Sequence, residues 1–262
     1  MQQLDENFPS NRTEQAECAT HGPFEQRVLQ PWAGAPAIRS RCPSCEADKA
    51  AVAAEESKRQ ASAMRKIHAD ALLRQSGIPA RFRERTLDGY RCENRGQRTA
   101  VGVCRRFAED FEGQCERGSS LVLVGGAGTG KTHLACAVAS AVISSHQAAA
   151  RFVTVSDMLR SIKETYRRDA TANESDVIRS YVDCDLLVLD EIGVQVGSEH
   201  EKLLLFEVLN GRYQALKPSI LISNLPPDEL ETFLGTRVMD RFRECGFVLR
   251  FDWESHRGKV AA

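Results

Sequence analysis

Leu121-Val122-Leu123-Val124-Gly125-Gly126-Ala127-Gly128-Thr129-Gly130-Lys131-Thr132 is the stretch that decides how this chain folds. Four apolar residues run into G-x-x-x-x-G-K-[ST], and a segment of helical character follows to about Ser144. That order predicts a strand, a phosphate-binding loop and a helix. Glycine lets the loop turn tightly and bring successive backbone N–H groups onto phosphate oxygens with no Cβ in the way, and the helix N-terminus adds partial positive charge. On this reading Gly125, Gly126, Ala127, Gly128, Thr129 and Gly130 surround the phosphates of a nucleotide. Lys131 reaches the β- and γ-phosphates, and the Thr132 hydroxyl ligates Mg²⁺.

Outward from the loop, short apolar runs alternate with helical segments: Arg151–Val155, Leu186–Leu189, Ser219–Ser223 and Phe247–Phe251. Fully apolar runs of this length predict a parallel sheet covered on both faces, hence an α/β fold. Leu186-Leu187-Val188-Leu189-Asp190-Glu191 places two acids where a buried strand first emerges, the edge at which ligands sit in open α/β sheets. Asp190 is expected to hold the magnesium and Glu191 to orient or deprotonate the attacking water. Asn224, after the run SILIS, is placed to bring an amide beside the γ-phosphate; taken alone it also reads as a turn residue.

Taken together, GIPARFRERTLDGY, GGAGTGKTHLACAVA, LLVLDEIG, ILISNLPPDEL, GTRVMDRFRE and LRFDWES resemble the AAA+ ATPases, and within them the DnaC-type helicase loaders and the related IstB-type transposition ATPases. The resemblance runs from about Gln75 to Arg257. It implies a five-stranded AAA+ core, ATP at subunit interfaces and therefore self-association, and ATP-controlled handling of DNA. It makes Asn224 the sensor residue. It matches Arg241, with Arg237 one turn earlier, to the motif from which a neighbouring subunit supplies an arginine finger; Arg241 is favoured, and spacing alone does not decide between them. About eleven residues follow Phe251, too few for the helical lid of many AAA+ proteins, a feature DnaC-type loaders share.

The chain has 262 residues with 35 basic and 36 acidic side chains, so no global charge points to nucleic acid or membrane. No apolar run approaches the roughly 18 residues of a spanning helix, and the N-terminus carries acids where a signal peptide needs bases. Nine cysteines, an odd count without an export signal, indicate reduced thiols and a cytoplasmic location. Four ligand types stand as two close pairs, Cys18-x₂-His21 and Cys42-x₂-Cys45, the spacing of a zinc ribbon and suited to tetrahedral Zn²⁺. Phe24, Val28, Leu29 and Trp32 are expected to form a small apolar cluster beside the metal. The remaining six cysteines are expected to be small buried hydrophobes. Residues 46–76, rich in Ala, Glu, Lys and Arg, predict one or two turns of hinge and then a helix ended by Gly77 and Pro79. The expected organisation is a zinc-ribbon-like module over 1–48, a helical linker over 49–76 and the AAA+ domain over 77–262.

After the second strand of the α/β pattern, Ser156 is placed to cap a helix DMLRSIKETYRR whose Arg160, Lys163 and Arg167 share one face, with Tyr166 beside them. Such a stripe suits single-stranded DNA, though solvated basic faces are common. The reading is a DnaC-type loader that binds single-stranded DNA and delivers a hexameric replicative helicase, hydrolysing ATP slowly and faster on assembly or DNA. Zinc-type knuckles ahead of such a core also resemble some phage- or prophage-encoded loader-like proteins. Two alternatives stand beside it: an IstB-like ATPase that delivers a transposase, and a nucleotide-gated DNA-binding module with negligible hydrolysis.

Overall fold

The computed structural model describes residues 10–32, 34–194 and 198–256 and divides into two compact units, residues 1–64 and 65–262. In the first, β1 (Ser10–Cys18) and β2 (Gly22–Gln30) form an antiparallel hairpin in register from Ser10↔Gln30 to Cys18↔Gly22. The short β3 (Ile38–Arg39) adds to β2. Strand alternation turns Val28 inward, where it is fully buried, and its neighbour Leu29 outward. Trp32, just past the strand, is 57% exposed, so the expected four-residue apolar cluster reduces to Val28 with a half-buried Phe24. Helix α1 (Pro43–Gln75) starts directly after Cys42, and the expected hinge is absent. Pro43 occupies the first helical position, where its fixed φ and missing N–H suit a helix start, and no Gly or Pro interrupts the next eight turns.

The second unit contains the end of α1, a short turn of helix at Ala80–Phe82, α2 (Arg95–Glu109), α3 (Phe111–Arg117), β4 (Ser120–Gly125), α4 (Lys131–His146) and β5 (Ala150–Thr154). There follow α5 (Val155–Glu164), α6 (Glu174–Asp183), β6 (Leu186–Ile192), α7 (Glu199–Gln214), β7 (Ser219–Ser223), α8 (Pro227–Leu234), α9 (Thr236–Cys245) and β8 (Gly246–Phe251). The five strands pair in parallel in the order β5-β6-β7-β4-β8. Alternate side chains serve opposite cores. Leu121, Leu123, Val188 and Ile220 pack under α2, α3 and α4, whereas Val122, Val124, Leu187 and Leu221 pack under α5, α6, α7 and α9. Each such side chain, buried on one face or the other, contributes about 1.5–3 kcal/mol. Helix α4 is apolar around most of its circumference because α2 covers the side turned from the sheet.

Helix α5 differs from its expected form at both ends. Thr154, not Ser156, is the cap, its Oγ1 accepting from the Asp157 N–H at 3.1 Å, so β5 ends one residue early and Val155 is already helical. The helix stops at Glu164, leaving Tyr166 and Arg167 in the following turn, where Thr165 turns its hydroxyl back onto the Ile162 carbonyl at 2.6 Å. Of the six other cysteines only Cys104 and Cys136 are buried, and burial pushes both thiols up to about 12. Cys92, Cys115, Cys184 and Cys245 lie half-buried at the margins of the two cores. Among the described residues no helix is long and apolar enough to cross a membrane.

Arg212, in the last turn of α7, is 1% exposed. Its guanidinium donates to the carbonyls of Tyr181, Val182 and Cys184 at 2.7, 2.9 and 2.8 Å, to that of Pro218, and to Ser219 Oγ at 2.8 Å. It thereby ties together the loops that feed β6 and β7, the two strands whose far ends carry Asp190, Glu191 and Asn224. Removing the side chain strands these acceptors away from water, so Arg212→Ala is expected to cost about 3–5 kcal/mol, or roughly 10 °C in Tm for a domain of this size. A melt within about 2 °C of the parent would show that water replaces the guanidinium.

Candidate functional site

Strand β4 delivers the glycine-rich loop to the C-terminal edge of the sheet, between β7 and β8. Gly125 has φ +140°, and a Cβ there would strike the Phe251 carbonyl of β8; Gly130 has φ +96° and lies against the ring of Tyr90. Neither position accepts a larger residue. Thr129 Oγ1 closes the loop on the Gly126 carbonyl at 2.9 Å. The buried Lys131 donates from Nζ to the carbonyls of Gly125 and Gly126 at 2.6 and 2.7 Å, which holds its ammonium at the inner rim of the loop.

The first residue of α4 after this lysine, Thr132, donates from Oγ1 to Asp190 Oδ2 at 2.9 Å. Positions 58 residues apart in the sequence are thus joined into an oxygen pair of the type that hard cations accept as ligands. Burial raises the Asp190 carboxyl above its ordinary range, opposed by the Thr132 hydroxyl, the Glu191 N–H and the nearby Lys131 charge. Glu191 is exposed and has φ +62°, a left-handed conformation that costs a non-glycine residue about 1–2 kcal/mol. The conformation is held by Asp190 Oδ1, which accepts the Glu191 N–H at 2.7 Å, and it coincides with a break in the β6–β7 register between Leu189 and Ile192. The bulge lets two consecutive acids both leave the strand at the ligand edge. Nothing in the residue types announces it. Ser223 Oγ donates to the Ile192 carbonyl at 2.7 Å and accepts from the Leu225 N–H at 3.1 Å, so the exposed Asn224 is anchored to the end of the acidic strand.

The other candidates lie on or beside the helices that flank the sheet. Arg241 packs its guanidinium 4.8 Å over the Tyr213 ring and donates to Asn210 Oδ1, both on α7, whereas Arg237 is exposed one turn earlier on α9. Arg160 and Lys163 project from α5 and Arg167 from the turn beyond it, around a surface hollow of about 400 Å³. Each faces an acid: Asp157 at 3.0 Å, Glu201 at 2.5 Å and Asp169 at 3.4 Å, respectively.

In the first unit the hairpin turn and the start of α1 bring Cys18, His21, Cys42 and Cys45 together, their ligand atoms all within 4.8 Å of one another. Cys18 Sγ lies 3.4 Å from Cys45 Sγ and 3.8 Å from His21 Nδ1; Cys42 and Cys45 lie 3.9 and 3.3 Å from the same nitrogen. Tetrahedral zinc with bonds of roughly 2.0–2.3 Å needs ligand separations of about 3.5–3.8 Å, so the donor set fits. Backbone N–H groups of Thr20 and His21 pull the Cys18 thiol down to about 6, and the proton it shares with Cys45 pushes that thiol up to about 11. His21 turns its other nitrogen, Nε2, to Asp48 Oδ2 at 3.1 Å. Sequence reading missed Asp48, although its position three residues after Cys45 on one helix face was a usable signal.

A doubly covered parallel sheet, a glycine loop entering a helix, and an acid-tipped strand set one strand away from the loop strand, with β7 between them, define a P-loop nucleotide-binding domain of the AAA+ kind. The family model described as "IstB-like ATP binding protein" matches residues 58–260, and the chain belongs to that family. It is similar to the replicative helicase loader DnaC of Escherichia coli (strain K12), 33% identical over 186 residues that span 71% of this chain and 74% of the relative. It is also similar to the crystal structure of the DnaC helicase loader, with a TM-score of 0.60, 26% identity, and coverage of 66% of this chain and 99% of that one. The replication initiator DnaA bound to AMPPCP and single-stranded DNA shares the fold, with a TM-score of 0.55 at 23% identity over 68% of this chain and 51% of the other.

Proposed function

We propose that this chain is an ATP-hydrolysing helicase loader: it binds ATP and single-stranded DNA and delivers a hexameric replicative helicase. The observation that carries the reading is the Thr132–Asp190 contact beneath the Lys131 loop, in a chain one-third identical to replicative helicase loaders over most of both lengths. Lys131 and the loop N–H groups hold the phosphates, and Thr132 and Asp190 hold Mg²⁺, which when bound neutralises phosphate charge. Glu191 takes the proton of the attacking water, Asn224 orients it, and Arg241 completes a neighbouring subunit's site on self-association. Arg160, Lys163 and Arg167 give up their acidic partners to the DNA backbone. Such exchange makes DNA binding salt-dependent. The organisation follows as a zinc-bearing module over 1–48, a helical linker over 49–76 and the ATPase domain over 77–262, working in the cytoplasm.

The deciding experiment is affinity capture with full-length protein and ATP. Recovery of a hexameric helicase is expected; recovery of a transposase instead would transfer the chain to the IstB-type role. Measured hydrolysis with and without single-stranded DNA distinguishes the loader from a nucleotide-gated module with no turnover.

Cys18, His21, Cys42 and Cys45 hold one Zn²⁺ per chain, and Asp48 orients the imidazole through Nε2. Asp48→Ala is therefore expected to weaken zinc about 10–100-fold in a chelator competition, with the folded ATPase domain unaffected. Protein purified without added zinc and carrying only trace metal would overturn the assignment.

A further inference from the structure

The outer side of the phosphate loop is gripped by residues from before and after the core. The Thr129 carbonyl accepts two hydrogen bonds, from Tyr90 Oη at 2.7 Å and from Trp253 Nε1 at 2.9 Å, which engages both oxygen lone pairs. The adjacent Gly128 carbonyl accepts the His256 backbone N–H at 3.0 Å. His256 is in turn tied by its ring, 3.3 Å away, to the buried Gln97 that caps α2, and Trp253 stacks 4.7 Å from Phe251 at the end of β8. Tyr90 itself is buried, its ring against Gly130, and burial pushes its hydroxyl up to about 12, so the donor keeps its proton at any working pH.

Peptide planarity turns these contacts into a statement about the ligand side. In a trans peptide the C=O and the following N–H point in opposite directions. Pinning the Gly128 and Thr129 carbonyls outward therefore aims the N–H groups of Thr129 and Gly130 into the concave side of the loop, where phosphate oxygens are bound. We propose that Tyr90 and Trp253 are positioning residues for phosphate binding, a clamp by which the segment after β8 sets affinity for the β- and γ-phosphates. The inference rests on residues 125–132 being the phosphate loop.

The test uses full-length Tyr90→Phe and Trp253→Phe, which keep the rings and remove the donors. Dissociation constants for ATP, ADP and AMP are measured beside Tm, with Lys131→Ala as reference. Each variant is expected to weaken ATP and ADP about 5–10-fold, the equivalent of one buried hydrogen bond, and AMP less than about twofold. A contact that only holds the domain together would lower Tm and affect all three nucleotides alike, and that outcome overturns the proposal, as does unchanged ATP affinity. If Lys131→Ala also leaves ATP binding intact, the phosphate-loop reading itself has failed; if it alone loses binding, only the clamp has. A second measurement needs no change at the clamp. The chain has two tryptophans, so Trp32→Phe leaves Trp253 as sole reporter. Its emission is expected to change on addition of ATP or ADP and not of AMP, and a signal indifferent to all three overturns the clamp.

Discussion

Lys131→Ala is expected to weaken ATP binding about 10–100-fold, whereas Glu191→Gln leaves binding within about twofold of the parent and lowers turnover about 10²–10⁴-fold. The two side chains meet the nucleotide at different stages of the reaction. Lys131 is held 5% exposed by two loop carbonyls, so its charge is already out of water and acts on phosphate at low local dielectric. Charge-assisted hydrogen bonds of that kind contribute about 1.5–3 kcal/mol, and each 1.4 kcal/mol is tenfold. Glu191 is exposed at the strand end and meets Asp190 through its backbone N–H, so in the proposed mechanism its carboxylate bears on proton transfer and not on the ground state. Equilibrium binding of a fluorescent ATP analogue, set beside steady-state phosphate release, separates the two. Equal loss of binding in both variants would remove Glu191 from the role of base. A melting curve for Lys131→Ala guards against a collapsed loop, because the lysine also bridges Gly125 and Gly126.

The sheet was legible because its information is local. LVLV, LLVL and SILIS are apolar on both faces, and a parallel strand between two layers of helix has no other way to be written. The loop was legible for the same reason, since positive φ at Gly130 and close approach at Gly125 demand glycine at fixed spacing. The candidate metal-binding cluster was legible from two x₂ knuckles, and the structure brings its four side chains together. What escaped depends on partners remote in sequence or on backbone choices with no residue signature. Arg212 reads as an ordinary basic residue near a helix end, and only the fold shows its guanidinium inside a ring of carbonyls. Tyr90 and Trp253 lie 163 positions apart in the sequence and meet on one carbonyl oxygen. The bulge at Asp190–Glu191 places a glutamate in a conformation that residue propensities assign to glycine or asparagine. In α5, Thr154 and Ser156 are both acceptable caps by residue type, and at the other end no glycine or proline marks the stop at Glu164 that leaves Arg167 outside the helix.

Mixing Arg241→Ala with Glu191→Gln, each inactive alone, is expected to restore part of the ATPase activity. The argument begins with where Arg241 lies. Its partners Asn210 and Tyr213 are in the last two turns of α7, the end that leads toward the N-terminal edge of β7, while the phosphate loop leaves the C-terminal edge of β4. The two parallel strands are neighbours, so Arg241 and its own loop belong to opposite ends of the sheet. A cation that far from its own phosphates can act on charge developing at the γ-phosphate only in another copy of the chain. Stacking on Tyr213 and the bond to Asn210 orient the guanidinium before any neighbour arrives, which lowers the entropy lost on engagement. Arginine fingers contribute about 10³–10⁵-fold to turnover in other nucleotide hydrolases, so Arg241→Ala is expected to suppress hydrolysis by a factor in that range, with ATP binding to the isolated chain little changed. Hydrolysis per subunit is likewise expected to rise with protein concentration. In the mixture, an interface between an Arg241→Ala subunit that keeps its base and a Glu191→Gln subunit that keeps its finger contains both groups. Activity that peaks at intermediate mixing ratios is the signature of that complementation. Co-assembled mixtures that stay inactive at every ratio, with Arg237→Ala tested in the same design, would move the finger to Arg237 if that variant complements, and would leave Arg241 a packing residue of the α7–α9 contact if neither does.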